Sequence, residues 1–176
     1  MTDSLASRVG ELEARLGLLE DERAIGELLS RYSYYADSRR DDDWIGLWHP
    51  DGALEIALGP GAAVYGEPHT WHGHSDLRVF IANPEAHHKP GFYGRSLHVH
   101  GANSTIRIER TTAVAATYSL LFRNGDEGPE LMSVGLCSWR FTKVDGHWLI
   151  LECRRRRVGA ADTREILGAC EPSDLG

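Results

Sequence analysis

The sequence predicts an α+β fold, a cone-like α+β barrel in which N-terminal helices pack on the concave face of a curved, mixed or antiparallel sheet. Two observations lead to this prediction. Helical apolar patterns fill the first half of the chain, whereas the part from Ser96 onward contains long strand candidates rich in β-branched and aromatic residues. Helices followed by a run of antiparallel strands are typical of an α+β layer.

Composition narrows the functional classes. The chain has 176 residues, enough for one domain, and its 41% hydrophobic and 26% charged residues are ordinary for a globular protein. A net charge of −7 argues against a nucleic-acid partner, and no apolar run is long enough to suggest a membrane span. Cys137, Cys153 and Cys170 are too scattered for a disulfide framework, which indicates reduced thiols and a cytoplasmic location.

Residues 1–20 are predicted to form an N-terminal helical arm ahead of a domain over 21–158, with a C-terminal tail over 159–176. The apolar residues of the arm follow the a/d spacing of a coiled coil, namely Leu5, Val9, Leu12, Leu16 and Leu19. A helix this short is unstable alone, so it must pack on its own domain or on another subunit, and both options remain open. With this leucine seam the sequence favours a homo-oligomer, a dimer or a trimer.

The main helix is predicted over Glu22–Asp37, separated from the arm by a break around Gly17 and Asp21. Asp21 would cap its first turn. One face of this helix is apolar and requires burial, through Ile25, Leu28, Leu29 and Tyr32. The helix closes on the polar and aromatic run Ser33–Asp37, which places the Asp37 carboxylate at the mouth of a pocket.

Between this helix and Ser96 the sequence predicts short elements joined by polar loops. In order these are a helix around Trp44 and Trp48, a turn at His49–Gly52, a strand ALEIAL, a loop through Gly59–Gly61 and a helix over Ser75–Ile81. Residues 83–95 are predicted as a loop, which could act as a mobile lid over a pocket.

Five strand candidates follow, SLHVH, STIRIE, AVAATYSLLF, ELMSVGLCSWRFTKV and HWLILECRRR. The pair Asp145-Gly146 between the last two is a hairpin signal. Strand alternation directs at most two of Arg154–Arg157 inward, so this run is predicted mainly as surface. The tail is predicted to pack poorly, with one helical turn around Thr163–Leu167.

His98 and His100 lie two residues apart on a strand, so their side chains share a face. If that face is concave, both point towards the helix that carries Asp37. A carboxylate bonded to one imidazole nitrogen fixes the tautomer and makes the other nitrogen a better base. Such a pair is the minimum apparatus for taking a proton from carbon, although a strand histidine is often purely structural.

Metal and cofactor sites are not expected. The histidines that suggest a metal are His69, His72 and His74, or the His98/His100 pair, but no glutamate follows the pair at the spacing of the cupin metal motif. The sequence also lacks a phosphate-binding glycine loop, a dinucleotide motif and a GxSxG elbow.

From about Asp21 to Val158 the chain resembles the SnoaL-like branch of the nuclear-transport-factor-two-like superfamily, which includes scytalone dehydratase, a bile-acid dehydratase, a hexachlorocyclohexane dehydrochlorinase and polyketide cyclases. The resemblance rests on DERAIGELLSRYSYYADSRRDDDWIGLWHPDGALEI, HVHGANSTIRIE and WRFTKVDGHWLI. It implies that Asp37 pairs with a strand histidine and that Tyr32, five residues earlier, also acts. Five residues turn a helix by about 140°, so Tyr32 and Asp37 share a pocket only if it wraps the helix end.

The resemblance leaves two candidates for the histidine. The family places it four residues before an asparagine, and counting back from Asn103 gives Val99, between His98 and His100. A bulge on either side would restore the match, and His98 is slightly preferred.

The expected function is a cofactor-free lyase, first of all a dehydratase acting on a hydrophobic or aromatic small molecule. Candidate pocket walls are aromatic side chains that could stack on such a substrate, namely Tyr35, Trp48, Phe80 and Tyr118. A polyketide cyclase or an isomerase would use the same base. A different class, a non-catalytic ligand-binding protein or an accessory protein like a dioxygenase small subunit, would need no Asp–His contact.

Overall fold

The computed structural model describes residues 4–57, 68–101 and 103–168. The predicted loop through Gly59–Gly61 lies outside these ranges. The helices are α1 (Leu5–Asp37), α2 (Asp41–Ile45), α3 (Gly73–Ile81) and α4 (Thr163–Gly168). The strands are β1 (Trp48–Ala57), β2 (His69–His72), β3 (Ser96–Val99), β4 (Thr105–Glu109), β5 (Thr112–Gly125), β6 (Gly128–Val144) and β7 (His147–Arg157).

The strands form one curved, unclosed sheet in the order β2-β1-β7-β6-β5-β3, with β4 also paired to β5. The β1–β7 pair is parallel and the other pairs are antiparallel, so the sheet is mixed. Asp145 and Gly146 join β6 to β7 with φ of 50° and 83°, the backbone that the hairpin signal predicts. The predicted α+β fold, helices on the concave face of a curved sheet, is therefore confirmed.

Helix α1 joins the predicted arm and the predicted main helix into one continuous helix. It runs without interruption over 33 residues, from an N-cap at Ser4, so the predicted break at Gly17 and Asp21 is wrong. A helix tolerates an isolated glycine at a cost of about 1 kcal/mol relative to alanine, which the flanking leucines and charged residues of good helix propensity can offset. Residues 5–20 do not pack on their own domain, because the leucines of the seam are 44–77% exposed, counting Val9.

Asp21 is not a cap but lies within α1 and ties it to the sheet. Its Oδ1 accepts hydrogen bonds from Lys143 Nζ at 2.6 Å and Trp148 Nε1 at 2.9 Å, both on the β6–β7 hairpin. Burial alone would raise the pKa of Asp21, but these two donors outweigh it and the pKa is lowered. The carboxylate thus fixes the angle at which α1 meets the sheet.

Replacing Asp21 with alanine should lower the free energy of unfolding by about 1–3 kcal/mol, because the buried Trp148 N–H loses its acceptor. Urea unfolding at a fixed protein concentration measures this, with the exposed neighbour substitution Glu22→Ala as the control. Because the pKa of Asp21 is lowered on folding, its contribution should be present above pH 4 or so and disappear as the pH falls further. An equal loss in both variants would contradict the anchoring role.

Two local predictions between α1 and β3 need correction. The helix around Trp44 ends at Ile45, and the predicted turn at His49–Gly52 is instead a bulge inside β1, where the pairing with β7 shifts between Trp48 and Ala53. Gly52 permits this bulge, since a Cβ there would lie 2.9 Å from the His49 carbonyl oxygen. The structure also contains a short strand at His69–His72, β2, for which the sequence shows no signal. The third helix, Gly73–Ile81, is confirmed.

The core lies between the sheet and the helices. Its largest fully buried side chains are aromatic and aliphatic, including Trp44, Trp48, Trp139, Phe141, Ile25 and Leu29. The predicted turn near Thr163 is confirmed as α4, but the tail does pack there, since Ile166 is 1% exposed. Within the described ranges, no helix combines the length and apolarity that a membrane crossing requires.

Candidate active site

The last residue of α1 meets an edge strand of the sheet. Asp37 Oδ1 lies 2.6 Å from His98 Nδ1, and Asp37 Oδ2 accepts the His98 backbone N–H at 2.9 Å. This contact forms because β3 pairs with β5 on one side only, which leaves the His98 N–H free for the carboxylate. The two side chains are 13% and 5% exposed, so the pair is shielded from water.

The contact determines which nitrogen of His98 can react. A carboxylate at 2.6 Å favours the proton on Nδ1, and Nε2 is then the hydrogen-bond acceptor. A neutral imidazole held in this tautomer can take a proton at Nε2 while the carboxylate stabilises the resulting charge. The arrangement is that of a general base.

His98 lines a cavity of about 120 Å³. The other lining residues are mostly apolar and come from six parts of the fold, namely β1, α3, the loop over residues 83–95, β5, β6 and β7: Ile56, Phe80, Ala86, His87, Phe92, Leu121, Ser133 and Arg155. The loop over residues 83–95 contributes Ala86, His87 and Phe92, so it forms one wall. Typical small-molecule pockets hold about 300 Å³ or more, so this cavity is small by comparison.

His87 is a polar group of the cavity that the sequence did not reveal. Its ring stacks on His98 with centroids 5.4 Å apart and an interplanar angle of 23°. Burial, helped by the charges of His98 and Arg155, lowers the pKa of His87 to about 3. It bonds to the Phe80 backbone while its Nδ1 is buried without a partner, so this nitrogen can accept a hydrogen bond from a ligand.

Among the described residues that line the cavity, Arg155 is the one cation. Its Nη2 lies 3.4 Å from Ser133 Oγ, and its Nε is buried without a hydrogen-bond partner. The alternate arginines behave differently, since Arg154 and Arg156 pair with Glu55 and Asp162 on the other face of β7. Arg155 therefore has unused donor capacity beside the imidazole of His98.

His100 lies behind His98 rather than in the cavity. Their rings stack at 5.8 Å and 13°, and His100 also meets the ring of Tyr32 edge-on at 4.9 Å. Its Nδ1 is 3.8 Å from Cys137 Sγ, whereas Nε2 is buried without a partner. Burial, followed by the charge of Arg155, lowers the pKa of His100 well below its usual value.

The two buried histidines predict acid sensitivity. Their folded pKa values are lowered, so below about pH 6.5 the unfolded chain binds protons that the folded chain does not. Stability should therefore fall as the pH drops from 6.5 to 5, by up to about 1.4 kcal/mol per pH unit for each histidine. The free energy of unfolding, measured with denaturant at several pH values, should fall less steeply with decreasing pH in His87→Phe than in wild type. In His147→Gln it should fall as steeply as in wild type. Equal slopes of unfolding free energy against pH for wild type and His87→Phe would contradict this prediction.

The remaining predicted site residues divide into wall and core. Phe80 lines the cavity. Tyr32 and Trp48 are buried core residues in ring contact at 6.1 Å, and burial raises the pKa of Tyr32 well above 10. The guanidinium of Arg40 lies over the ring of Tyr35, 4.4 Å from its centroid, and Tyr35 does not line the cavity.

Tyr118 does not line the cavity. It is 46% exposed, whereas its neighbours Thr117 and Ser119 are buried, so alternation along β5 turns Tyr118 to the convex face. The metal candidates are also dispersed, because His74 bonds to the Trp48 carbonyl and His98 to Asp37. In the described part of the chain, no three His, Cys, Asp or Glu side chains are grouped closely enough to hold a metal ion.

A family described as "SnoaL-like domain" matches residues 18–154. The chain belongs to this SnoaL-like family. Among solved structures, an NTF2-like protein with a cystatin-like fold from Novosphingobium aromaticivorans is 27% identical to this SnoaL-like chain. Its TM-score is 0.76, over 95% of this chain and 99% of that one. The comparison with curated proteins gave no significant match.

Two further solved structures support the fold of this SnoaL-like protein. A provisionally assigned scytalone dehydratase from Novosphingobium aromaticivorans is 18% identical, with a TM-score of 0.61 over 80% of this chain and 85% of that one. The beta subunit of a provisionally assigned aromatic-ring-hydroxylating dioxygenase from the same organism is 16% identical, with a TM-score of 0.61 over 80% and 90%. At these identities the likeness shows the fold alone.

Proposed function

We propose that this protein is a cofactor-free lyase, a dehydratase that removes water from a hydrophobic β-hydroxy carbonyl compound. The observation that carries the proposal is the 2.6 Å contact between Asp37 and His98 at the wall of a largely apolar cavity. A base oriented by a carboxylate and shielded from water is suited to taking a proton from carbon.

The reaction needs no reagent other than the substrate and His98. His98 Nε2 takes the proton from the carbon next to the carbonyl, and the electron pair of that C–H bond forms an enolate. The enolate then expels the β-hydroxyl group, which receives the proton back from the His98 imidazolium and leaves as water. The carbon–carbon double bond formed is conjugated with the carbonyl, and His98 returns to its starting state.

Three groups assist this sequence. Asp37 stabilises the imidazolium while it exists. Arg155, with its unpartnered Nε, is placed to bind the carbonyl oxygen as it becomes negative. His87 stays neutral across the physiological range, so its free Nδ1 can accept the hydrogen bond of the substrate hydroxyl and orient the leaving group.

Removing the donor of Arg155 should slow the reaction. We expect Arg155→Gln to lower kcat/KM by about 10²-fold, because one preorganised donor at a developing oxyanion has this order of effect. The control is Arg154→Gln, whose guanidinium pairs with Glu55 and Glu165 outside the cavity. Steady-state kinetics on both variants tests the assignment, and equal kinetics would remove Arg155 from the mechanism.

The function itself is testable with a panel of cyclic β-hydroxy ketones. Loss of water produces an enone with a new ultraviolet absorbance, and mass spectrometry should show a product lighter by one water. A product of unchanged mass would replace the dehydratase by an isomerase, which uses the same base. Tight binding of the panel without any turnover would favour a non-catalytic ligand-binding protein.

A further inference from the structure

The N-terminal part of α1 presents an uncovered apolar seam. Residues 5–20 form the arm, a segment that projects roughly 24 Å from the domain at 1.5 Å per residue. All of its residues are exposed except Gly17, which is half-buried. A row of large apolar side chains at coiled-coil spacing has no partner in its own described chain, namely Leu5, Val9, Leu12, Leu16 and Leu19.

The seam faces away from the domain. At 100° per residue, the mean direction of the seam lies roughly 150° from that of the residues that α1 buries in its own core, such as Ile25 and Tyr32. A second helix can therefore run along the arm without meeting the domain. The arm is also an extension of a helix already held by the core, so it does not require a new nucleus.

The charges beside the seam select the partner. In the heptad that places Leu5, Leu12 and Leu19 at d, the g positions hold Arg8 and Arg15. The e positions that follow them by five residues are acidic, Glu13 and Glu20. In a parallel pair each g residue faces the e residue five positions later in the other helix, so both arginines face glutamates. An antiparallel pair would oppose Arg with Arg and Glu with Glu.

We propose that the arm pairs with the arm of a second copy of this chain as a parallel, in-register, two-stranded coiled coil. Val9 at an a position with leucine at the d positions favours two strands. The two domains then lie side by side at the same end of the coiled coil, each with its own cavity. This assembly is independent of the reaction in that cavity.

Sedimentation velocity on the full chain at micromolar concentration should give about twice the 19.6 kDa chain mass. Leu12→Glu combined with Leu16→Glu should give a monomer with an unchanged near-ultraviolet spectrum, since neither residue touches the core. The control is Leu18→Glu, an equally exposed leucine outside the seam, which should remain dimeric. A dimer that survives the double substitution, or a wild-type monomer or trimer, would overturn the proposal.

Charge and orientation have separate tests. Arg8→Glu with Arg15→Glu should weaken dimerisation at least tenfold, and adding Glu13→Arg with Glu20→Arg should restore it. In a Cys170→Ser background, Leu5→Cys should crosslink to itself under mild oxidation, because a parallel pair brings both copies of position 5 together. Cys137 and Cys153 are buried and do not interfere. A disulfide forming only between Leu5→Cys and Leu16→Cys chains, a d and an a position that would face each other in an antiparallel pair, would show the antiparallel arrangement and defeat the proposal.

Discussion

Replacing His98 with alanine should lower kcat by about 10²–10⁴-fold, because a positioned general base contributes that much to proton transfer. The residue sits at the junction of the carboxylate and the cavity, 2.6 Å from Asp37 and in contact with the space where a ligand would bind. The rate of the wild type should also fall towards acid pH, since a protonated imidazole cannot accept a proton. Stopped-flow or steady-state kinetics on a substrate from the ketone panel measures both.

The matched control is His100→Gln. His100 shares the strand face of His98 and is stacked on it, but it does not line the cavity. We expect this variant to keep kcat within about tenfold of wild type, with its main effect on stability. If His98→Ala and His100→Gln both retain the wild-type kcat on a turned-over substrate, neither histidine is the base and the mechanism is wrong.

Asp37→Asn should lower kcat by a similar factor, about 10²–10⁴-fold, although asparagine is nearly the same size as aspartate. An asparagine amide that turns its NH₂ group towards His98 Nδ1 makes that nitrogen the acceptor. The proton then resides on Nε2, the atom that has to accept one. The lost negative charge also removes the partner of the imidazolium.

A second aspartate–histidine pair supplies the control for this substitution. Asp41 Oδ2 lies 3.0 Å from His88 Nε2, its side chain is 19% exposed, and neither residue lines the cavity. Asp41→Asn should therefore leave kcat nearly unchanged. Thermal unfolding of both variants should show intact folds. A normal rate for Asp37→Asn would mean that the carboxylate only holds the strand edge.

Much of this site is visible in the sequence because its parts sit on regular elements. The apolar spacing through Ile25 and Tyr32 predicts which face of α1 is buried, and Asp37 then follows at the helix end. The HVH pattern places His98 and His100 on one strand face, and both are buried as that period requires. The choice between them needs the position of α1 relative to β3, which only tertiary packing decides.

Other features depend on contacts between distant residues. Aspartate is favoured at helix N-caps, but the partners of Asp21 are Lys143 and Trp148, more than a hundred positions later. Arg155 belongs to a charged run that reads as surface, although strand alternation beside the buried Cys153 could have indicated an inward direction. His87 reaches the cavity through a loop whose path has no periodic signal.

The double contact of Asp37 has a consequence for how this fold could acquire new specificity. The same carboxylate binds the imidazole and the backbone N–H of His98, so the reacting pair also holds α1 to the edge strand β3. Variation at either residue therefore risks both chemistry and structure. Ala86 and Phe92, by contrast, line the cavity from a surface loop that contains neither Asp37 nor His98. Directed evolution for a new substrate should accumulate changes in that loop and leave the Asp37–His98 pair untouched.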